Sequence, residues 1–378
     1  MHRILILGAG FGGIAAAIGL RDRLAASDEI ILVDRRDAFA MGLRKNWGLV
    51  GIEAHRLGER RLELLADRGI SVRRGEISAI HPDERAATID GQKIGGDVLI
   101  VALGAERDTA AVPGLLEHGL DVYDRSANEA HAATIEAFMG GRVVVGVFGA
   151  PYPCPPAPYE LALMLSERLD ERDVSFGMLV VTPLPLSLPI LGEAGCAAFD
   201  GRLAAAGVSL RTDTRLTEVR QGEAIHDGGR IPFDLLLGVP PHRAPAPVRE
   251  AGLTGPSGWV SVDARTLQTR VPGVYAVGDV TAIPLSNGSA MPKAGVFAQA
   301  QGEVVAARVA DALAGREPTA RFAGEGMCYL ETGRGLASAV QGSFLSDPPQ
   351  VELTEPSAAG FEAKRAFEAE RLRAWFGS

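Results

Sequence analysis

The sequence has only three cysteines, Cys154, Cys196 and Cys328, among 378 residues. Three cysteines are too few for a disulfide-stapled scaffold, and their wide separation excludes the closely spaced pairs of a zinc ribbon. The motif C-x-x-C-H of covalent haem attachment is absent, and no C-x-x-C or C-x₄-C pair occurs. Two cysteines that act together must therefore meet through the fold.

The sequence also lacks basic runs and uninterrupted apolar stretches. Asp and Glu total 47 against 38 Lys and Arg, and the formal net charge of −9 argues against nucleic acid as a partner. No window of about 18 continuous apolar residues predicts a membrane-spanning helix. Segment 4–20 is apolar but has four glycines in its middle and no A-x-A cleavage site. We therefore expect no signal peptide, and a cytoplasmic or peripheral membrane location.

Glycine is abundant, with 46 residues, and the length predicts two or three domains. The apolar run Arg3–Leu7 predicts a buried parallel strand, and G-x-G-x-x-G follows it at Gly8, Gly10 and Gly13, before a helix over 14–24. In this setting Gly8 permits the tight turn, Gly10 lets a pyrophosphate approach the backbone, and Gly13 lets helix and strand pack closely. The helix N-terminus then supplies N–H groups to the anion.

A second strand over 29–33 ends in Asp34, where a carboxylate can accept hydrogen bonds from an adenosine ribose. This fingerprint alone leaves NAD and FAD open. Two later segments decide between them, 97–105 and 271–279, because they resemble the further motifs of flavoproteins with two dinucleotide-binding domains. The resemblance implies bound FAD and an α/β fold with two Rossmann-like domains.

Within those segments the resemblance assigns three cofactor-binding residues, and Lys293 follows them in the chain. Asp279, after Gly278, would hold the ribityl or pyrophosphate part of FAD, and Gly104 would lie in the turn where the chain leaves the FAD domain. A helix over 292–314 follows, with a proline in its first turn, and its positive end with Lys293 would face a flavin that becomes anionic on reduction.

The second nucleotide unit is altered. Strand 142–148 leads into a turn where the second and third glycines of a G-x-G-x-x-G are replaced by Pro151 and Cys154. The proline ring crowds the backbone and removes an N–H, so this turn suits a nicotinamide cofactor poorly. We expect an FAD domain over 1–108 and 243–322, a second Rossmann-like domain over 109–242, and a C-terminal segment over 323–378.

Two segments that contain cysteine indicate a narrower family within these flavoproteins. Cys154-Pro-Pro-Ala-Pro-Tyr-Glu160 and Met327-Cys328-Tyr329 resemble the paired cysteines of the sulfide:quinone oxidoreductases and the flavocytochrome c sulfide dehydrogenases. The resemblance implies a Cys154–Cys328 disulfide beside the flavin, with Cys328 nearer the flavin and Cys154 as the sulfur carrier. Sulfide attacks one sulfur, which leaves a persulfide on one cysteine and a thiolate on the other, and two electrons pass to FAD. Cys196, in a helical stretch without a motif, is expected to be a core thiol.

Two further side chains have open roles. Members of the quinone-reducing group often carry a third cysteine shortly before a His-Ala pair, and this chain has Ala127 there, followed by His131. His131 is either a proton donor or acceptor at the acceptor site or a solvated helix residue. Glu160 is either a base for H₂S or a thiol, or a carboxylate that complements the start of a helix.

The C-terminal residues 361–376 have a helical composition. One face carries Phe361, Leu372, Trp375 and Phe376, although Arg365 and Glu368 also lie there and Phe367 points away. This helix either docks on a bilayer or packs on its own protein or on a second subunit, as in a homodimer.

We expect an FAD-dependent oxidoreductase that oxidises sulfide or a related sulfur nucleophile, with a quinone as electron acceptor and a separate cytochrome as the alternative. The competing hypotheses are an NAD(P)H dehydrogenase of the type II or ferredoxin-reductase kind and a non-catalytic flavin-bound redox sensor. We predict no metal site.

Overall fold

The computed structural model describes residues 1–377 and is built around two five-stranded parallel sheets. In the first sheet the strands lie in the spatial order Val274–Ala276, Val98–Val101, Arg3–Leu7, Glu29–Asp34 and Ser71–Arg74. In the second the order is Leu120–Asp121, Leu235–Val239, Gly141–Val147, Phe176–Val181 and Val208–Arg211. Both sheets place crossover helices between parallel strands, which confirms the α/β class with two Rossmann-like units.

The helices of the described residues are α1 (Phe11–Arg21), α2 (Arg44–Leu49), α3 (Leu115–His118), α4 (Asn128–Glu136), α5 (Ala157–Glu171), α6 (Gly192–Ala205), α7 (Ala246–Glu250), α8 (Gly295–Leu313) and α9 (Ala358–Phe376). Helices α1 and α8 pack against each other beside the first sheet. A Cβ on Gly302 of α8 would lie 2.3 Å from the Gly12 carbonyl oxygen of α1, so the missing side chain permits this close contact.

Antiparallel strands complete the fold. A three-stranded sheet carries Cys328 and consists of Glu325–Gly333, Leu336–Ser343 and Gln350–Leu353. Two more three-stranded sheets are formed by Ile77–His81, Ala86–Ile89 and Gln92–Gly95, and by Leu216–Arg220, Glu223–His226 and Gly229–Pro232. Two antiparallel pairs are Ala38–Ala40 with Glu59–Arg61 and Glu106–Arg107 with His242–Arg243. One further pair, Val260–Ser261 with Thr281–Ala282, is parallel.

Two helix boundaries differ from the sequence prediction. Helix α1 begins at Phe11 rather than at residue 14, because Gly12 and Gly13 are already helical and Ile14 N donates to Gly10 O at 3.0 Å. Helix α8 begins at Gly295, so the prediction that a proline occupies its first turn is wrong. The preceding residue Ala294 is extended (φ −144°, ψ 146°). Residues 290–294 therefore precede α8 as a non-helical segment, and the Lys293 carbonyl oxygen in this segment contacts the second domain.

Helix α9 packs on its own chain. The Trp375 ring centroid lies 5.5 Å from that of Phe11 and 5.4 Å from that of Phe39, both edge to face. Leu372, Trp375 and Phe376 are buried. Of the two alternatives for this helix, the structure supports packing on the protein itself for this aromatic face. Within residues 1–377, no helix combines the length and the apolar character needed to cross a bilayer.

Candidate active site

The first glycine turn has the geometry that a dinucleotide requires. Gly8 has φ +102°, and a Cβ there would lie 2.3 Å from the Ala102 carbonyl oxygen. A Cβ on Gly13 would lie 1.8 Å from the Gly8 carbonyl oxygen, so only glycine lets α1 approach the strand this closely. Gly10 differs, because an added Cβ would meet no protein atom within 4 Å. Its outer side is open to a pyrophosphate.

Asp34 anchors this turn from inside the protein. Its Oδ2 accepts a hydrogen bond from Ala9 N at 2.8 Å, and Arg36 donates three more from its backbone and guanidinium at 2.9 to 3.0 Å. Burial alone would raise the pKa of Asp34, but the hydrogen bonds and charge of Arg36 lower it below its usual value. The ribose role of Asp34 stays a prediction, and it requires Arg36 to release an acceptor position.

The other two FAD motifs meet the first turn from neighbouring strands. Gly104 (φ +68°) follows the strand beside Arg3–Leu7, and Gly278 (φ +77°) follows the next strand out. Gly278 N donates to Gln301 Oε1 at 2.6 Å. Asp279 is half-buried, and burial raises its pKa although the charge of Lys293 opposes the shift. The residues of all three glycine motifs thus lie at one end of the first sheet, where they fit FAD.

Lys293 lies just before α8 and is buried. Its Nζ donates to the carbonyl oxygens of Asp279 at 2.6 Å and Thr281 at 3.1 Å, and lies 3.4 Å from the centre of the Trp259 ring. Burial lowers the pKa of Lys293 to about 8, against the opposing charge of Asp279. Its contact with the flavin stays a prediction.

Cys154 lies in the altered turn of the second domain. Its backbone is left-handed (φ +54°), its N–H donates to the Lys293 carbonyl oxygen at 2.6 Å, and its carbonyl accepts from Ala157 N at 2.9 Å. The first of these hydrogen bonds joins the second domain to the segment 290–294 that precedes α8. The turn therefore presents Cys154 to the FAD motifs across the boundary between the two sheets.

Cys328 reaches the same region from the C-terminal sheet. Glu160, six residues after Cys154, accepts a hydrogen bond from Glu331 N at 2.9 Å, three residues after Cys328. Helix α5 and the strand Glu325–Gly333 also pack together. The structure thus brings the two predicted cysteines to one site, where both are partly exposed thiols.

Burial and nearby charges raise the pKa values of both thiols. Burial raises the pKa of Cys154 to about 11; the charge of Glu160 adds to the shift and those of Lys45 and Lys364 oppose it. Burial raises the pKa of Cys328 further above its usual range, and negative charge at Cys154 and at Asp279 contributes. The order in which Cys328 is nearer the flavin stays a prediction.

Glu160 is at the centre of a buried ion network. Its carboxylate accepts from Lys364 Nζ at 2.6 Å and from Asn46 Nδ2 at 2.7 Å, in addition to Glu331 N. Lys364 also donates to the Glu331 carboxylate at 2.8 Å, and Trp47 Nε1 donates to the same group at 2.7 Å. These three hydrogen bonds anchor Glu160 at the start of α5, and its role as a base stays a prediction.

The remaining predicted residues are His131 and Cys196. His131 is half-buried on α4, where burial lowers its pKa while Asp121 and Asp124 oppose the shift. Its proton-transfer role stays a prediction. Cys196 is buried in α6, and its Sγ donates to the Leu188 carbonyl oxygen at 3.1 Å. It is a core thiol.

Sequence reasoning missed two lysines, Lys45 and Lys364. The chain has only four lysines among its 38 Lys and Arg residues, and three of them, these two and Lys293, are buried around the site. Buried lysines are rare because the ammonium is costly to desolvate. The scarcity of lysine in an arginine-rich chain was the available signal.

The comparisons with known proteins agree with this geometry. The model of the pyridine nucleotide-disulphide oxidoreductase family matches residues 2–302. A mitochondrial sulfide:quinone oxidoreductase of Mus musculus is 25% identical over 92% of this chain and 79% of its own. A demethylphylloquinone reductase of Synechocystis is 25% identical over 99% of this chain and 93% of its own.

A solved structure shows the same fold. The sulfide:quinone oxidoreductase of Aquifex aeolicus superposes with a TM-score of 0.90 at 21% identity, covering 100% of this chain and 92% of that one. The family match includes both parallel sheets and both glycine turns. The chain is an FAD-binding oxidoreductase that belongs to the pyridine nucleotide-disulphide oxidoreductase family.

Proposed function

We propose that this protein oxidises sulfide, or a related sulfur nucleophile, through Cys154 and Cys328 and passes the electrons through FAD to a quinone. The observation that carries the proposal is the meeting of the two cysteines, from the second domain and the C-terminal sheet, beside Asp279 and Lys293 of the FAD motifs. The relatives named for sulfide and quinone support this substrate and acceptor.

In the oxidised enzyme the pair forms a disulfide. HS⁻ attacks the Cys154 sulfur, a new S–S bond forms, and the Cys154–Cys328 bond breaks, which leaves a persulfide on Cys154 and the electron pair on Cys328 as a thiolate. Burial raises the pKa of Cys328, so its thiolate is intrinsically nucleophilic once formed, and the same burial slows its departure from the disulfide. FAD, when bound, accepts the two electrons and transfers them to the quinone.

The competing NAD(P)H dehydrogenase hypothesis is disfavoured by the start of α5. A phosphate site needs free backbone N–H groups there. The Ala157 N–H is already bonded to the Cys154 carbonyl, Pro158 has none, and the Glu160 carboxylate lies in the first turn. Tyr152 is buried within the turn as well. The turn is therefore filled, and the backbone N–H groups that a pyrophosphate would need are bonded or missing.

An anaerobic reduction experiment tests the function. Na₂S should bleach the flavin absorbance of the holoenzyme and NADH should not, and decyl-ubiquinone should then restore the absorbance with turnover. Bleaching by NADH alone would overturn the proposal in favour of the dehydrogenase. Reduction by Na₂S without quinone turnover would instead indicate a redox sensor.

Serine variants test the cysteine pair. Cys154→Ser and Cys328→Ser should each lower the rate of flavin reduction by Na₂S at least 100-fold while FAD stays bound, because no disulfide can form. Cys196→Ser is the matched control, since this thiol is buried elsewhere, and it should reduce at the native rate. Unchanged rates in the first two variants would remove the assigned chemistry.

A further inference from the structure

Lys45 has a buried ammonium group beside the cysteine turn. Its Nζ lies 3.8 Å from the centre of the Tyr123 ring, and the Tyr123 hydroxyl donates to the Pro153 carbonyl oxygen at 2.7 Å. The neighbouring Asn46 donates to the Ala157 carbonyl oxygen at 3.0 Å, three residues after Cys154. The Lys45 carbonyl in turn accepts from Asn128 Nδ2 at 3.0 Å. Tyr123 and Asn46 contact the chain on either side of Cys154, and these contacts hold Lys45 next to the turn.

The Lys45 ammonium has no hydrogen-bond partner among residues 1–377, although the residue is only 8% exposed. An unpaired buried ammonium is costly, and folded proteins normally give such a group an anion or a set of acceptors. The Tyr123 ring face compensates only in part.

The charges around Lys45 are paired already, with one exception. The groups that interact with it are Cys154, Glu160, Asp121, Tyr123, His55 and His242. Glu160 is bonded to Lys364, and Asp121 is bonded to Arg107. The pKa values of both histidines are lowered by burial to about 4, so the imidazoles are neutral at neutral pH. The sulfur of Cys154 is the remaining group, and its raised pKa makes it a neutral thiol at neutral pH until it ionises. Lys45 and Lys364 are the cations that favour its anionic form, and Lys364 is already bonded to two carboxylates, whereas Lys45 has no hydrogen-bond partner among residues 1–377.

We infer that Lys45 is the counter-ion of the anionic sulfur on Cys154, and that it holds both the thiolate and the persulfide anion that this residue carries during turnover. The persulfide part of this inference rests on the proposed function, whereas the thiolate part does not. Lys45 keeps its own proton throughout, and the proton lost by the sulfur passes to water. Burial lowers the pKa of Lys45 to about 8, with Cys154 as the strongest opposing charge, so the ammonium is present at neutral pH.

The test measures the ionisation of Cys154 without sulfide. In a Cys328→Ser holoenzyme, the rate of Cys154 alkylation by iodoacetamide is followed by peptide mass spectrometry from about pH 6 to 7.5, where Lys45 is charged and the rate is proportional to the thiolate fraction. Adding Lys45→Met should slow alkylation about tenfold, which corresponds to a rise of about one unit in the pKa of Cys154. Lys45→Arg should keep the pKa within a few tenths of a unit, because the charge remains. Lys45→Gln provides a second neutral variant if the Met variant does not fold.

The control is Lys93→Met, since Lys93 is exposed and paired with Glu84, and it should leave the profile unchanged. An unaltered Cys154 pKa in both neutral Lys45 variants would overturn the inference. A shift in the flavin midpoint potential without a shift in the Cys154 pKa would overturn it too, because the ammonium would then belong to the flavin.

The second readout uses Na₂S with both cysteines present. The cyanolysable sulfur left on the enzyme after one equivalent of Na₂S should fall at least fivefold in Lys45→Met relative to Lys45→Arg. Failure of the native enzyme to react with Na₂S would remove the proposed function and the persulfide part, while the alkylation result would still decide the thiolate part.

Discussion

The three buried lysines each meet the cost of desolvation differently. Lys364 has two carboxylates, Lys293 has two carbonyl oxygens and the Trp259 ring, and Lys45 has only the Tyr123 ring. Burial alone would lower the pKa of Lys364, but Glu160 and Glu331 raise it overall. A buried ammonium that donates to protein oxygens, as in Lys364 and Lys293, stabilises the fold. The Lys45 ammonium has no such acceptor among residues 1–377 and can bind an anion that forms during the reaction.

Gly10 and Gly13 of the first turn lack a side chain for different reasons. Gly13 permits close packing within the protein, whereas Gly10 leaves space for the cofactor. Gly10→Ala should leave the urea unfolding free energy of the apoprotein within about 0.5 kcal/mol, because the added methyl group contacts no protein atom. The same variant should bind FAD at least tenfold more weakly, as measured by flavin fluorescence, because the methyl group enters the space for the pyrophosphate.

Gly13→Ala should instead destabilise the apoprotein itself, by about 2 kcal/mol or more, since its Cβ would lie 1.8 Å from the Gly8 carbonyl oxygen. Equal stability of the two variants would contradict the assignment of separate roles to Gly10 and Gly13.

At the scale of elements, helix α9 is held by buried charge as well as by its aromatic face. Lys364 joins it to α5 through Glu160 and to the strand Glu325–Gly333 through Glu331. Glu368, which spoils the amphipathic pattern in the sequence, is buried and bonded to Arg44 of α2. The polar residues on the apolar face are therefore contacts with the protein, which a helical wheel cannot distinguish from a solvent-facing break in the pattern.

Removing the lysine of this network leaves two carboxylates buried without their cation. Lys364→Met should lower the urea unfolding free energy of the holoenzyme by about 3 to 5 kcal/mol. Arg365→Met is the matched control on the next residue, and it should cost about 1 kcal/mol or less, because Arg365 is exposed and its pair with Glu53 is screened by water. A similar loss in both variants would show that α9 is not held by the buried network.

Adding Glu160→Gln to Lys364→Met should recover part of the stability lost, since the carboxylate that lacks its cation becomes neutral. An additive double variant would contradict a direct interaction between the two groups.

At the scale of the whole molecule, two histidines predict how stability depends on pH. Burial lowers the pKa of His55 and of His242 to about 4, below the value of about 6.5 in an unfolded chain. As the pH falls from 6.5 towards 4, the unfolded chain binds protons that the folded protein does not, so the unfolding free energy should decrease.

With both histidines contributing, the slope should approach about 2.7 kcal/mol per pH unit. Urea unfolding at saturating FAD between pH 4.5 and 7.5 measures it, and the variant with His55→Gln and His242→Gln should show a clearly smaller slope. An unchanged slope in that variant would assign the acid sensitivity to other groups.

The sequence by itself determined the strands and turns whose formation depends on a few neighbouring residues. The glycine turn after Arg3–Leu7, both parallel-strand runs and the altered turn at Pro151 were readable because strand burial, turn conformation and the missing N–H of proline act within a few residues. The cysteine pair was assigned by resemblance, because nothing in the sequence between Cys154 and Cys328 indicates that the two side chains lie close together in the fold.

Only the tertiary structure decided which charges face one another. Asn46, Glu160, Glu331 and Lys364 come from four elements and meet through the packing of α2, α5, α9 and the C-terminal sheet. Lys45 beside Cys154 arises in the same way. Electrostatic interactions depend on distance and burial in space, and neither is encoded in the spacing along the chain.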